Sequence, residues 1–360
     1  VIDEAPFPPP PIKNPDLLGH GAAEELVIKA WQAGRFPHAW LIAGPKGVGK
    51  ATFAYRIARW VLAGGADAGG GLFADAPATL AMGPEHGVFR RVASGGHADF
   101  RALEKPEDKT VIPVEAVRTL MGFIHRTASE GAWKAIVIDS ADELNRNGAN
   151  AILKVLEEPP PKTVFLLVSH SPGRLLPTIR SRCRTVTLRA LDDGVLRELV
   201  GRYAPDLPGP DADALVRISD GSVGRALDYA AAGGIDLFRG TMTLLSNPAR
   251  LPADQLYGLA DMLSAKGAER SYDAFRALLD WWMKRAIRSR ATGIAPPPAV
   301  PEETAALERW AAMGGLETCM GLWEKLTGLL AQSDNPANLD KRQLVVSAFH
   351  EIQRVAARGP

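Results

Sequence analysis

The stretch Ala39-Trp-Leu-Ile-Ala-Gly-Pro-Lys-Gly-Val-Gly-Lys-Ala-Thr-Phe53 decides the fold. Its first five residues are uninterruptedly apolar, as in a strand buried on both faces. Residues 44–50 then match G-x-x-x-x-G-K, the pattern of a phosphate-binding loop. That chemistry needs small residues, here Gly44, Gly47 and Gly49, so that backbone N–H groups can wrap phosphate oxygens. It needs a lysine, Lys50, to meet the outer phosphates, and a helix N-terminus aimed at the negative charge. Residues 52–62 carry helical periodicity, so strand, loop and helix follow in the required order.

Working outward, residues 20–34 have apolar side chains at helical spacing, with Gly34 placed to end the helix. Residues 1–16 hold six prolines, which resist helix and sheet and predict an extended strap or arm. Residues 64–96 are rich in Gly and Ala and read as an irregular insertion with a short helix near 89–92. Strands are expected at 100–103, 135–139, 163–169 and 185–188, and helices at 114–127 and 149–156. Strands alternating with helices predict a parallel sheet covered on both faces. Beyond about residue 190 helical periodicity takes over, broken by a proline-rich loop at 293–301.

The chain has 360 residues, 46% of them hydrophobic, enough for two or three cores. Charges nearly cancel at +1, which argues against a stand-alone nucleic-acid binder. A DNA-binding factor using the basic stretch 174–189 is the reading this balance disfavours; a steep salt dependence of DNA binding would mark it. Two cysteines, Cys183 and Cys319, exclude a disulfide framework and a four-cysteine zinc site, so no zinc is expected. No apolar run is long enough to span a bilayer, and no secretory pattern is present, so a cytoplasmic protein with no membrane partner is expected.

The nucleotide site departs from the full pattern. The residue after Lys50 should carry a hydroxyl to ligate Mg²⁺, yet it is Ala51. Thr52 is one step late, a rotation of roughly 100° on a helix. Asp139 closes the apolar run 135–138, where an acid holds Mg²⁺ in P-loop proteins. Asp142 and Glu143 follow it and read as solvated or as a cap for the next helix. These residues leave open both a working ATPase that tolerates Ala51 and a site relieved of hydrolysis.

Two further segments carry a resemblance. Asn145-Arg-Asn-Gly-Ala-Asn-Ala-Ile-Leu-Lys-Val-Leu-Glu-Glu-Pro-Pro160 and Ser181-Arg-Cys183 resemble the clamp-loader AAA+ family of bacterial DNA polymerase III, in its delta-prime and gamma/tau branches. The similarity covers about 17–60 and 110–190 and is only architectural beyond. It implies that Arg182 reaches across an interface to the γ-phosphate of a neighbour's ATP, a task suited to a planar, permanently charged fork. Without the resemblance, Arg182 reads as a surface ion pair or a phosphate-backbone contact within the basic stretch of Arg174, Arg180, Arg184 and Arg189. Cys183 reads as a small buried hydrophobe. Active members follow the aspartate with a water-orienting glutamate; here it is Ser140. Their second-domain sensor arginine falls on Gly224, with Arg225 one place later as a helix-surface residue. Many members carry a four-cysteine zinc module in the insertion; residues 61–99 contain no cysteine.

The resemblance therefore implies an α/β P-loop AAA+ domain at 1–190, a small helical lid at 191–240 and an all-helical collar at 241–360. The implied protein is a delta-prime-like ring member that offers Arg182 in trans and holds ATP or ADP weakly if at all. Its implied partners are gamma/tau and delta subunits and, through the complex, the sliding clamp and primer-template DNA. The alternative is a catalytically active gamma/tau-like ATPase.

Overall fold

Buried apolar runs flanked by helices assemble into a sheet covered on both faces. A computed structural model describes residues 8–65, 79–106, 109–131, 133–334 and 339–357. The first seven residues of the proline-rich arm, and 66–78 of the Gly/Ala-rich insertion, lie outside the described residues. The chain divides into two compact units, 1–195 with 222–224, and 196–221 with 225–360.

In the first unit the elements are α1 (Gly21–Gln32), β1 (Ala39–Ala43), α2 (Lys50–Leu62), α3 (Gly87–Ala93), β2 (Phe100–Glu104), α4 (Val114–Ile124), β3 (Lys134–Asp139), α5 (Arg146–Glu157), β4 (Thr163–Ser169), α6 (Pro177–Arg180) and β5 (Arg184–Thr187). The sheet is parallel throughout, in the order β2-β3-β4-β1-β5. Alternation along each strand sorts side chains into two cores. Trp40, Ile42, Val137 and Leu166 pack with α1, α2 and α3. Leu41, Ile136, Ile138 and Phe165 pack with α4 and α5 on the other face. The three inner strands β3, β4 and β1 are buried on both sides, which is why their sequences read as continuous apolar runs, whereas the edge strands β2 and β5 keep exposed residues.

Helix α2 lies over the sheet and is almost wholly buried, including Arg56 and Arg59. These arginines explain how the described part of the proline-rich arm is held. Prolines lack N–H groups, but their segment's carbonyls still need donors. Arg56 donates to Pro15 O at 2.7 Å, and Arg59 donates to Ile12 O and Asn14 O at 3.1 and 2.9 Å. Arg56 also pairs with Glu24 at 2.6 Å, and Arg59 stacks 4.4 Å over Phe89. The described arm is therefore a strap laid on α2.

The second unit is helical: the remainder of α7 (Asp193–Tyr203), then α8 (Gly209–Ile218), α9 (Val223–Ala231) from Arg225 onward, α10 (Gly234–Leu245), α11 (Ala253–Ser264), α12 (Glu269–Thr292), α13 (Glu303–Ala312), α14 (Leu316–Leu330) and α15 (Lys341–Ala357). Helix α10 runs unbroken across residue 240. Tyr272, Phe275, Trp282, Phe238 and Phe349 are buried in this unit. The loop expected at 293–301 lies between α12 and α13 and begins at Gly293, whose φ of 69° ends α12. It is fastened by the fully buried Glu303, which accepts from Ala299 N at 2.5 Å and faces Arg285 Nε at 3.5 Å. Among the described residues no helix is long and apolar enough to cross a membrane.

Candidate nucleotide site and interface arginine

The loop between β1 and α2 stands at the carboxyl edge of the sheet, where open α/β sheets bind ligands. Gly44, Gly47 and Gly49 have φ of 146°, 78° and 100°. Gly44 is obligatory: a Cβ there would lie 2.3 Å from Leu188 O. Every carbonyl from 44 to 49 is taken by the protein itself. Lys50 Nζ donates to Gly44 O and Pro45 O at 2.8 and 2.5 Å. Ser222 Oγ donates to Lys46 O at 2.8 Å, and Gly224 N to Gly47 O at 2.8 Å. His20 Nε2 lies 2.7 Å from Val48 O and so carries the proton, and Phe53 N donates to Gly49 O at 2.9 Å. With the carbonyls engaged, the first N–H groups of α2, which have no acceptor inside their helix, are left for an anion.

Lys50 is only 2% exposed. Burial lowers its ammonium to a pKa of about 8, against the pull of Asp139 and Asp142, so it is charged at neutral pH. Asp139 moves the other way, to about 6, through burial and the neighbouring Glu104, opposed by Lys50. Glu104 is the register partner of Asp139 across β2 and β3, and accepts a hydrogen bond from Tyr55 Oη. The loop could thus hold phosphates. Ligands for a metal beside them are lacking at two positions: Ala51 has no oxygen, and the Ser140 hydroxyl is committed to Asp142 Oδ2 at 3.1 Å. Thr52 is buried in α2, one residue late.

Asp142 corrects the sequence reading. It is neither simply solvated nor a helix cap. Its carboxylate accepts from Ser169 Oγ at 2.7 Å, His170 N at 2.5 Å and Ser171 N at 3.1 Å, besides Ser140, tying the end of β3 to the end of β4. Burial pushes its pKa up, but these hydrogen bonds outweigh burial and hold it below the ordinary carboxylate range. The cap of α5 is Asn145, whose Oδ1 accepts from Gly148 N at 2.8 Å.

The Ser181-Arg182-Cys183 triplet follows the single turn of α6. Ser181 Oγ donates to Thr178 O at 3.1 Å. Arg182 Nη1 donates to the same carbonyl at 3.0 Å, and its Nη2 lies 2.8 Å from Glu157 Oε1 at the end of α5. The Arg182 side chain is 34% exposed. Cys183 packs against the α4–α5 core and its thiol is pushed up to about 12 by burial, an inert packing group.

Residues 19–192 match the family described as DNA polymerase III, delta subunit. The chain belongs to the DNA polymerase III delta-prime family. The delta-prime subunit of Pseudomonas aeruginosa is 37% identical over 185 residues, covering 51% of this chain and 53% of that one. That of Escherichia coli K12 is 33% identical over 160 residues, covering 44% and 45%. The tau subunit of Escherichia coli K12 is 30% identical over 262 residues, covering 71% of this chain and 38% of the relative. The chain thus spans about half the length of the delta-prime relatives it matches. Its fold is a five-stranded parallel α/β domain with the glycine-rich loop between β1 and α2, followed by a helical region.

The position where a sensor arginine is expected in active members has an outcome the sequence did not foretell. Gly224 belongs to the first unit and sits against the loop itself. A Cβ at Gly224 would lie 2.8 Å from Gly47 Cα. No side chain fits there, so an arginine at this place has no room in the present arrangement. Arg225 pairs with Asp220 at 3.3 Å. Sequence reasoning also missed His20, Ser222, Glu104 and Glu157. Only Glu104 had a readable signal, as the acid that follows the strand expected at 100–103. Among the described residues no group of three or more His, Cys, Asp or Glu side chains could hold a metal ion.

Proposed function

We propose that this chain is a ring member of a DNA polymerase III clamp loader that does not hydrolyse ATP itself and supplies Arg182 to the ATP site of an adjacent gamma/tau subunit. The observation that carries this reading is the contrast between the two halves of its own site. The phosphate loop is ordered and its lysine charged, whereas the Mg²⁺ hydroxyl and the water-orienting glutamate are replaced by Ala51 and Ser140. Hydrolysis needs the metal to neutralise charge on the transferred group and a residue to orient water. Gly44, Gly47, Gly49 and Lys50 would hold the phosphates of ATP or ADP, and Asp139 alone would face a cation. The partners in this reading are gamma/tau and delta subunits, with the sliding clamp and primed DNA reached through the complex in the cytoplasm. The lid and collar roles belong to the helical unit.

The intact shape of the loop favours one other reading, an active gamma/tau-like ATPase. Steady-state ATP hydrolysis by the isolated chain separates the two. Turnover well below about 1 s⁻¹, the low end of ordinary enzymes, is expected; turnover near that value would make the chain a motor. Calorimetry should find any ADP binding insensitive to Mg²⁺, because the site lacks the hydroxyl that ligates the metal.

A further inference from the structure

We propose that Glu157, the last residue of α5, is a positioning residue for Arg182: it holds the guanidinium in the orientation from which it meets a neighbour's γ-phosphate. This rests on the in-trans role proposed above and adds to it a second residue, one drawn from the Glu-Glu-Pro-Pro segment.

Both ends of the contact are fixed. Helix α5 terminates at Glu157, where Glu158 N still bonds to Lys154 O at 3.2 Å, and three prolines follow. Val155 and Leu156 just before it are buried in the core that also holds Ile179 of α6. On the other side, Arg182 N donates to Ile179 O at 3.1 Å, and Cys183 is packed against the same core. The guanidinium spans the two elements, with Nη1 on Thr178 O and Nη2 on Glu157 Oε1. A guanidinium has five N–H donors, so three are left for phosphate oxygens. Held at both terminal nitrogens, it has little rotational freedom to lose when the phosphate arrives.

The same contact could instead withhold the arginine, and magnitude decides between these. Exposed ion pairs shift an equilibrium by roughly fivefold at most. An arginine acting on a transferring phosphoryl group changes rates by about 10³ to 10⁵. Glu157 is too weak a competitor to sequester Arg182 from that group, but it is strong enough to bias its orientation beforehand.

The test is a double-mutant cycle in the reconstituted loader, with an ATP-hydrolysing gamma/tau partner and ATP as substrate. Glu157→Ala is expected to lower the kcat of the complex about two- to fivefold with the KM for ATP unchanged, the pattern of an interaction made in the transition state. Glu157→Gln should recover most of this, since its amide oxygen still accepts from the guanidinium. In an Arg182→Ala background, Glu157→Ala should have no further effect. An equal loss in that background would mean that Glu157 acts elsewhere, and faster turnover in Glu157→Ala would mean that it withholds the arginine; either overturns the inference. A silent Glu157→Ala beside a damaging Arg182→Ala defeats this inference alone. A silent Arg182→Ala removes the functional reading beneath it.

Discussion

Replacing Arg182 with alanine is expected to leave this protein folded and assembled while lowering clamp loading by the reconstituted complex at least about tenfold. The γ-phosphoryl group develops its critical charge in a partly dry interface, where a fixed guanidinium acts strongly. In systems where such an arginine is supplied in trans, it contributes about 10³ to 10⁵ in rate. One ATP site among several would use Arg182, so total turnover should fall by less than that factor, and loading by more than turnover. Stability should barely change, because the side chain is partly exposed and its pairing with Glu157 is worth at most about 1 kcal/mol. Arg182→Lys should not rescue, since a point charge lacks the bidentate fork. Circular dichroism, sizing of the complex, ATP turnover and a clamp-loading assay check these together. Wild-type loading by the alanine variant would make Arg182 a structural residue.

Gly224→Ala is expected to loosen the phosphate loop by about 2 kcal/mol or more. Two effects oppose each other here. Helix propensity alone favours alanine over glycine by up to about 1 kcal/mol in α9. Against that, the new Cβ would lie 2.8 Å from Gly47 Cα, a backbone atom that cannot swing aside. Overpacking costs about 1–3 kcal/mol, and displacing 222–224 also breaks the bonds from Gly224 N to Gly47 O and from Ser222 Oγ to Lys46 O, about 1 kcal/mol each. The clash wins. Hydrogen exchange of the amides in 46–50 should quicken by roughly thirtyfold, the equivalent of 2 kcal/mol. Unchanged or slower exchange would show that propensity prevails and that 222–224 does not hold the loop.

Much of the first unit was legible because its signals are local. Continuous apolar runs placed β1, β3 and β4 within a residue, and G-x-x-x-x-G-K placed the loop. The helix after it begins at Lys50 rather than 52, because the loop's own turn closes into α2 through Phe53 N and Gly49 O. What the sequence could not convey is which side chains converge on the sheet's carboxyl edge. His20 and Ser222 lie 28 and 176 residues from the carbonyls they bind. Asp142 looked solvated because nothing local reveals that the end of β4 passes beside it with three donors. Glu157 and Arg182 sit in separate motifs, and their contact depends on how α5 and α6 share a core. The replacement of an arginine by Gly224 read only as a loss; its close approach to Gly47 is a property of the fold.

This chain is proposed to lend an arginine to an ATP site while running none of its own. The most direct test is a titration of the chain into a purified gamma/tau ATPase with delta present, following ATP turnover under saturating ATP. No turnover is expected from this chain alone, together with a rise in partner turnover that saturates at fixed stoichiometry with the wild-type chain, and no such rise with Arg182→Ala. Turnover near about 1 s⁻¹ from the chain alone, or equal stimulation by wild type and Arg182→Ala, would contradict the proposal.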